Sequence, residues 1–141
     1  MRSIAIALSL LVFCALGAQA FPQNPAKRKI PCKTPENAAS CYWTHGRVEV
    51  GNGDPAYRLW KIGTHHLLGI YSGQSAWHGD QDAIDNEDPE FPRNVARAWV
   101  DRIGSPLYGD FEVCPLERER AGSMQAACIE SAKNMFIDHA K

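Results

Sequence analysis

Residues 42–62 read YWTHGRVEVGNGDPAYRLWKI, and the alternation inside this stretch decides the fold. Val48 and Val50 alternate with Arg47 and Glu49, the period-two pattern of a strand with one face buried and the other in water. The run ends in Gly51-Asn52-Gly53-Asp54, and Asn-Gly between two such runs is the strongest short-range hairpin signal. The chain re-emerges as a second strand over 56–62, with Tyr57, Leu59 and Lys61 on one side and Arg58, Trp60 and Ile62 on the other. Trp60, mid-strand, is expected in the core. Gly63-Thr64 breaks this run and a third strand follows over 66–71, so the three make a meander.

Working outward toward the C-terminus, the pattern disappears between Ser72 and Pro92. Pro92 at a first helical position, acids just upstream, and Val95, Trp99 and Ile103 at steps of four then predict a short helix over 92–103, stopped by Gly104 and Pro106. Leu107 to Leu116 reads as a strand. The segment 124–137 carries two readings. Met124, Ala127, Cys128, Ala132, Met135 and Phe136 fit one helical face, whereas folding back about Ala121 sets Cys128 opposite Cys114 in a hairpin and places Glu112 unfavourably opposite Glu130.

Toward the N-terminus, Arg2 precedes an apolar run from Ile4 to Leu16 and then Gly17-Ala18-Gln19-Ala20. A basic start, an apolar stretch too short to span a bilayer and small residues before the cut describe an export signal over 1–20, so the mature chain is expected to start at Phe21 and not to be membrane-spanning. Residues 21–40 form a Pro-rich lead, read as a flexible or extended arm, and 41–141 a single globular domain. Removing the leader takes away Arg2 and leaves 14 basic against 16 acidic residues, a balance that does not attract nucleic acid.

The leader also removes Cys14, leaving Cys32, Cys41, Cys114 and Cys128, an even number suited to an oxidising compartment. Four cysteines permit three pairings, and sequence cannot choose among them. The local scheme, Cys32 with Cys41 and Cys114 with Cys128, is preferred because each pair flanks a Pro- or Gly-containing excursion. Neither pair has the spacing of a zinc knuckle.

Gly46-Arg47, Asn52-Gly53, Pro55, Arg58, Trp60, Gly63-Thr64 and the block Gly109-Asp110-Phe111-Glu112-Val113-Cys114-Pro115 are similar to a group of small exported bacterial proteins without an assigned function. The resemblance covers most of 41–137. It implies a periplasmic or extracellular location and a strand rather than a helix over 124–137, and it supplies no activity or site residues. The expected fold is therefore mostly β, a small antiparallel barrel or sandwich of about five strands with one short helix; α+β with a C-terminal helix is the alternative.

No cofactor motif is present, and no constellation of catalytic residues is complete. His65 and His66 are adjacent, so in a strand they point to opposite faces. His78, Asp80 and Asp82 could share a metal ion from a loop, which is the basis of an alternative function as a small metal-assisted hydrolase. Asp80, Asp82, Asp85 and Asp88 depart from calcium-loop spacing. Trp77, an indole between Ala76 and His78 in the irregular segment, marks Trp77 and His78 as candidate ligand-binding residues, unless the ring folds back over an open end of the sheet. The favoured function is a non-catalytic binding or envelope-interaction module with a glycan or protein partner.

Overall fold

In the computed structural model of the protein, residues 28–78 and 88–139 are described. The export signal expected over 1–20, residues 21–27, Asp80, Asp82 and Asp85 lie outside them. Five strands are present: β1 (Tyr42–Val50), β2 (Tyr57–Lys61), β3 (Leu67–Ile70), β4 (Leu107–Pro115) and β5 (Gln125–Ile137). A 3-10 turn over Ala38–Ser40 precedes β1, and among the described residues between β3 and β4 there are two short helices, α1 (Gln74–Trp77) and α2 (Arg93–Ala98). The segment with two readings is thus a strand. The strands close into a barrel in the order β1-β2-β3-β5-β4.

Neighbours are antiparallel except β3 and β5, which run parallel over 68–70 and 125–127. The meander expected from the sequence therefore gives way after β3 to a crossover, which the antiparallel expectation lacked. A five-stranded Greek-key barrel with this order and a helix between β3 and β4 has OB-fold connectivity.

Alternation explains the core. Val48, Tyr57, Leu59, Leu68, Ile70, Leu107, Phe111, Val113, Ala127 and Ile129 point inward and are buried. The β1–β2 connection is held by Arg58, whose guanidinium donates to the carbonyls of Asn52 (2.7 Å) and Pro55 (3.3 Å). Gly53 there has φ +100°, a conformation that favours glycine.

Of the two tryptophans placed in apolar patterns, Trp60 was expected in the core and only Trp99 enters it. Trp60 faces outward and is only partly covered, whereas Trp99 is wholly buried. Trp99 packs edge-on against Tyr57 and Phe91, and its Nε1 donates to the Ser105 carbonyl. Meeting that carbonyl requires the chain to leave the helix at Trp99, whose φ/ψ of −113°/70° is not helical. The helix consequently stops at Ala98, and Ile103, expected on its apolar face, is 84% exposed. The Arg102 guanidinium lies over the rings of Tyr57, Phe91 and Trp99 and pairs with Asp88 at 3.3 Å, closing this part of the core.

The local disulfide scheme is replaced by Cys32–Cys128 and Cys41–Cys114. Cys114 and Cys128 do face each other in the β4–β5 register, as the hairpin reading required. Both are buried against the N-terminal segment, and each takes its partner from there. From Arg28 onward the lead is therefore not a free arm. Arg28 donates to the carbonyls of Ile129 (2.7 Å), Ser72 and Glu90, and a Cβ on Gly73 would clash with the Pro31 carbonyl oxygen.

The arm also answers the carboxylate conflict. A register shift between Glu112 and Val113 puts Glu112 opposite Ser131 instead of Glu130. Lys33 then contacts both acids, donating from Nζ to Glu112 (2.7 Å) and from its backbone N–H to Glu130 (3.2 Å).

Peptide mapping of unreduced protein is expected to yield Cys32–Cys128 and Cys41–Cys114 peptides. Replacing either pair by alanine should cost about 3–5 kcal/mol, nearly equally, because both bridges close long loops and the entropy grows only with the logarithm of length. A local pairing, or a large difference between the two double variants in denaturant midpoint, would contradict this arrangement.

Trp99→Ala should cost about 3–5 kcal/mol, the range for truncating a buried aromatic. Trp60→Ala should cost about 1 kcal/mol. Equal melting points would show that Trp60 is core after all.

Candidate functional site

With the barrel interior filled, the alternate positions of β1, β2, β4 and β5 form its outer face. Strand register sets which of them meet. Trp60 lies beside Arg47, Arg47 beside Tyr108, and Tyr108 beside Phe136, a row across four strands. At 4.7–4.9 Å per strand the row is about 14 Å long. The Arg47 guanidinium carbon sits 5.1 Å from the centre of the Trp60 ring, with Nη2 3.0 Å from a Glu49 carboxylate oxygen. Tyr108 and Phe136 are stacked, with centroids 5.0 Å apart and planes 7° apart. Phe136 remains 56% exposed, so a ring surface stays open to solvent.

A polar row runs beside it. Asp110 lies between His45 and Lys133 in the register. It accepts from Asn134 Nδ2 at 2.7 Å and lies 2.9 Å from His45 Nδ1. These hydrogen bonds, Asn134 first and His45 second, hold the Asp110 carboxyl below its ordinary range, so it persists as an acceptor. Asn134 reaches it from a positive-φ position at the register shift between Tyr108 and Asp110, a conformation asparagine tolerates better than most residues. Lys133 Nζ lies 4.4 Å from the centre of the Trp43 ring, and Trp43 is 48% exposed.

At its β2 end the aromatic row opens into a hollow of about 400 Å³ lined by Arg47, Glu49, Trp60, Thr64, His65 and Leu67. Trp60 is fixed there by donating its Nε1 hydrogen to the Thr64 carbonyl at 2.8 Å. A second hollow, of about 380 Å³, shares His65 and Leu67 with the first and extends to residues 119–124 of the β4–β5 connection. His66 and Glu119, 3.1 Å apart, tie its two sides together. The arrangement supplies flat ring surfaces next to paired donors and acceptors, which suits binding.

The residues singled out from the sequence lie elsewhere. Trp77 is on α1, packed edge-on against Tyr71 at 5.1 Å and against the second buried cluster around Cys32, Cys114, Leu116 and Cys128. Of the two readings of Trp77, a ligand anchor or a ring folded back over the sheet, the packing matches the second, on the strapped side. His78 is exposed, with Nε2 2.6 Å from the Gln74 side-chain nitrogen. Asp80 and Asp82 are outside the described residues, and among the described residues no three His, Cys, Asp or Glu side chains converge to hold a metal ion. The row containing Trp60 was missed because its members are spread from 47 to 136. Their outward phase in each strand was the available signal.

Compared with protein-family models, curated proteins and solved structures, the chain matches none. The site is therefore read from its own geometry.

An Asp110 carboxyl titration followed by carbon-detected NMR should show a midpoint below the ordinary value of about 3.9, and Asn134→Ala should raise it. An unshifted midpoint in the wild type would mean that these hydrogen bonds do not persist in solution.

Proposed function

We propose that the chain is an exported, non-catalytic binding module that holds its ligand on the outer face of β1, β2, β4 and β5. The observation that carries this reading is the row Trp60, Arg47, Tyr108 and Phe136, running into the hollow beside Leu67. Apolar rings at outward positions contribute little to a barrel whose interior is already packed, whereas exposed aromatic groups beside fixed charges are what recognition sites use. Strands 2 and 3 with the β4–β5 connection also frame the usual ligand surface of OB-fold barrels, a support at the level of fold analogy alone.

Two buried disulfides are compatible with an oxidising location outside the cytoplasm. The expected export signal and the resemblance carried by Gly46-Arg47 and the Gly109–Pro115 block support the same reading, a periplasmic or extracellular site of action. No described helix is long and apolar enough to cross a membrane. The alternative of a metal-assisted hydrolase at His78, Asp80 and Asp82 gains no specific support from the described residues.

The test uses mature protein and soluble fractions of the cell envelope, followed through the Trp60 indole N–H resonance. At least one fraction is expected to move this resonance and those of Tyr108 and Phe136, and Phe136→Ala should weaken the response about tenfold, the effect of losing an aromatic anchor. Fractions that leave the row untouched but perturb Trp77 and His78 would sink the proposed site.

A further inference from the structure

The aromatic row and its polar companion differ from a surface made for a polyanion. Each cation near the row has a carboxylate close by. Arg47 is paired with Glu49 at 3.0 Å, and Asp110 stands between His45 and Lys133 in the register. Below them Glu112 is held by Lys33 at 2.7 Å. A phosphate- or uronate-bearing chain laid along this face would meet about as many negative as positive groups, which removes the electrostatic gain such ligands rely on. A peptide binding by strand addition would need a free strand edge, and on the stretch of β5 that β3 leaves uncovered the Ile129 and Ala132 carbonyls already accept from Arg28 and Asn94.

What the face offers instead is alternation of two surfaces. Tyr108 and Phe136 cover one face of each other, so the stack offers its edges and the outer side of Phe136, and Trp60, with Arg47 over one face, lines the hollow beyond. Between and beside them stand the Asp110 and Glu49 carboxylates as acceptors and the Arg47 and Lys133 cations as donors. Hydroxyl groups donate and accept at once, so neighbouring acceptors and donors match a polyol better than they match any ligand of one hydrogen-bonding sense. Apolar C–H faces with a hydroxyl rim are the surface of a pyranose ring. A row of about 14 Å is long enough for a short oligosaccharide in extended form.

We infer that the row Trp60–Arg47–Tyr108–Phe136 binds an uncharged, extended glycan lying across the strands, its C–H faces against Phe136 and Trp60 and its hydroxyls on Arg47, Glu49, Asp110 and Lys133. The Trp60 ring is already oriented by its bond to Thr64, and Asp110 by Asn134 and His45, so little ordering remains to be done on binding. The hollow beside Leu67 continues the path for a longer chain. This inference rests on the outer face being the binding surface.

The experiment titrates the mature, disulfide-intact protein with cellotetraose, chitotetraose, tetragalacturonate and a thymidine oligonucleotide, using calorimetry for affinity and the Trp60 indole resonance for location. One or both neutral tetrasaccharides are expected to bind and shift that resonance. Trp60→Ala and Phe136→Ala should each weaken binding about tenfold, while Trp77→Ala leaves it unchanged. Both substituted residues lie outside the core, and melting curves of the variants verify that the fold persists. Failure of both neutral sugars to bind, tighter binding of tetragalacturonate or of the oligonucleotide, or full affinity in the Phe136→Ala and Trp60→Ala variants would overturn the inference. If both neutral sugars fail while envelope fractions still move the Trp60 resonance, the glycan assignment falls and the binding-module reading stands.

Discussion

Two disulfides that clasp one segment onto the outside of the β4–β5 hairpin are the constraint on which the rest depends. Cys114 and Cys128 are cross-strand neighbours, buried together with Cys32 of that segment, residues 28–41, under Leu116, Tyr71 and Trp77. With the segment in place, its charges reach groups the barrel cannot satisfy by itself. Lys33 reaches Glu112 and Glu130, and Arg28 reaches the Ile129 carbonyl on the part of β5 that β3 does not cover. Farther along, Asn94 of α2 donates to the Ala132 carbonyl. A strand edge that would otherwise present open acceptors is thus blunted by side chains from two different segments. The bridges set the position of the strap, and the strap makes the Glu112–Glu130 neighbourhood tolerable.

The pKa pattern is consistent with that order of dependence. Lys33, ahead of Ser131, holds the Glu112 carboxyl below its ordinary range. A carboxylate with a depressed folded-state pKa contributes stability above its unfolded pKa and loses the contribution as pH falls through the folded value. The strap is therefore coupled to the sheet by charge at neutral pH and by covalent bonds at all pH values. In strong acid the Lys33–Glu112 pair is lost, while the disulfides and the bonds from Arg28 to the Ile129 and Ser72 carbonyls remain.

Local features of the fold were legible in the sequence where alternation and turn chemistry agree. β1, β2 and the start of β4 follow from period-two runs ended by Gly51-Asn52-Gly53, Gly63-Thr64 and Pro106. What could not be read there is set by long-range register. Trp60 and Trp99 both sit in apolar patterns, and only closure of the barrel decides that Trp60 faces out while Trp99 enters the core. The extra residue at Glu130 that separates two acids has no signature in the chain, because a bulge is specified by both strands together. The cystine connectivity was hidden for the same reason. Spacing describes how far apart cysteines are along the chain, not which segment crosses which sheet.

The site was least legible because its parts belong to four strands. Loop position made Trp77 conspicuous, and loops do carry function disproportionately, but this indole is occupied with Tyr71 and the disulfide cluster. Trp43 and Phe136 sit on regular strands, where an outward aromatic residue is easily taken for chance. Their cost argues otherwise. An apolar ring left in water gains little hydrophobic stabilisation, and a contiguous set of such rings invites association with other molecules. Charges placed among the rings limit that hazard: Arg47 on Trp60, Lys133 on Trp43 and Asp110 between them keep the surface hydrated while leaving ring area accessible. The interior needs none of these side chains, the strap needs none of them, and their shared direction is fixed by the same barrel register that built the core, which is why the outer face is where a ligand is to be sought.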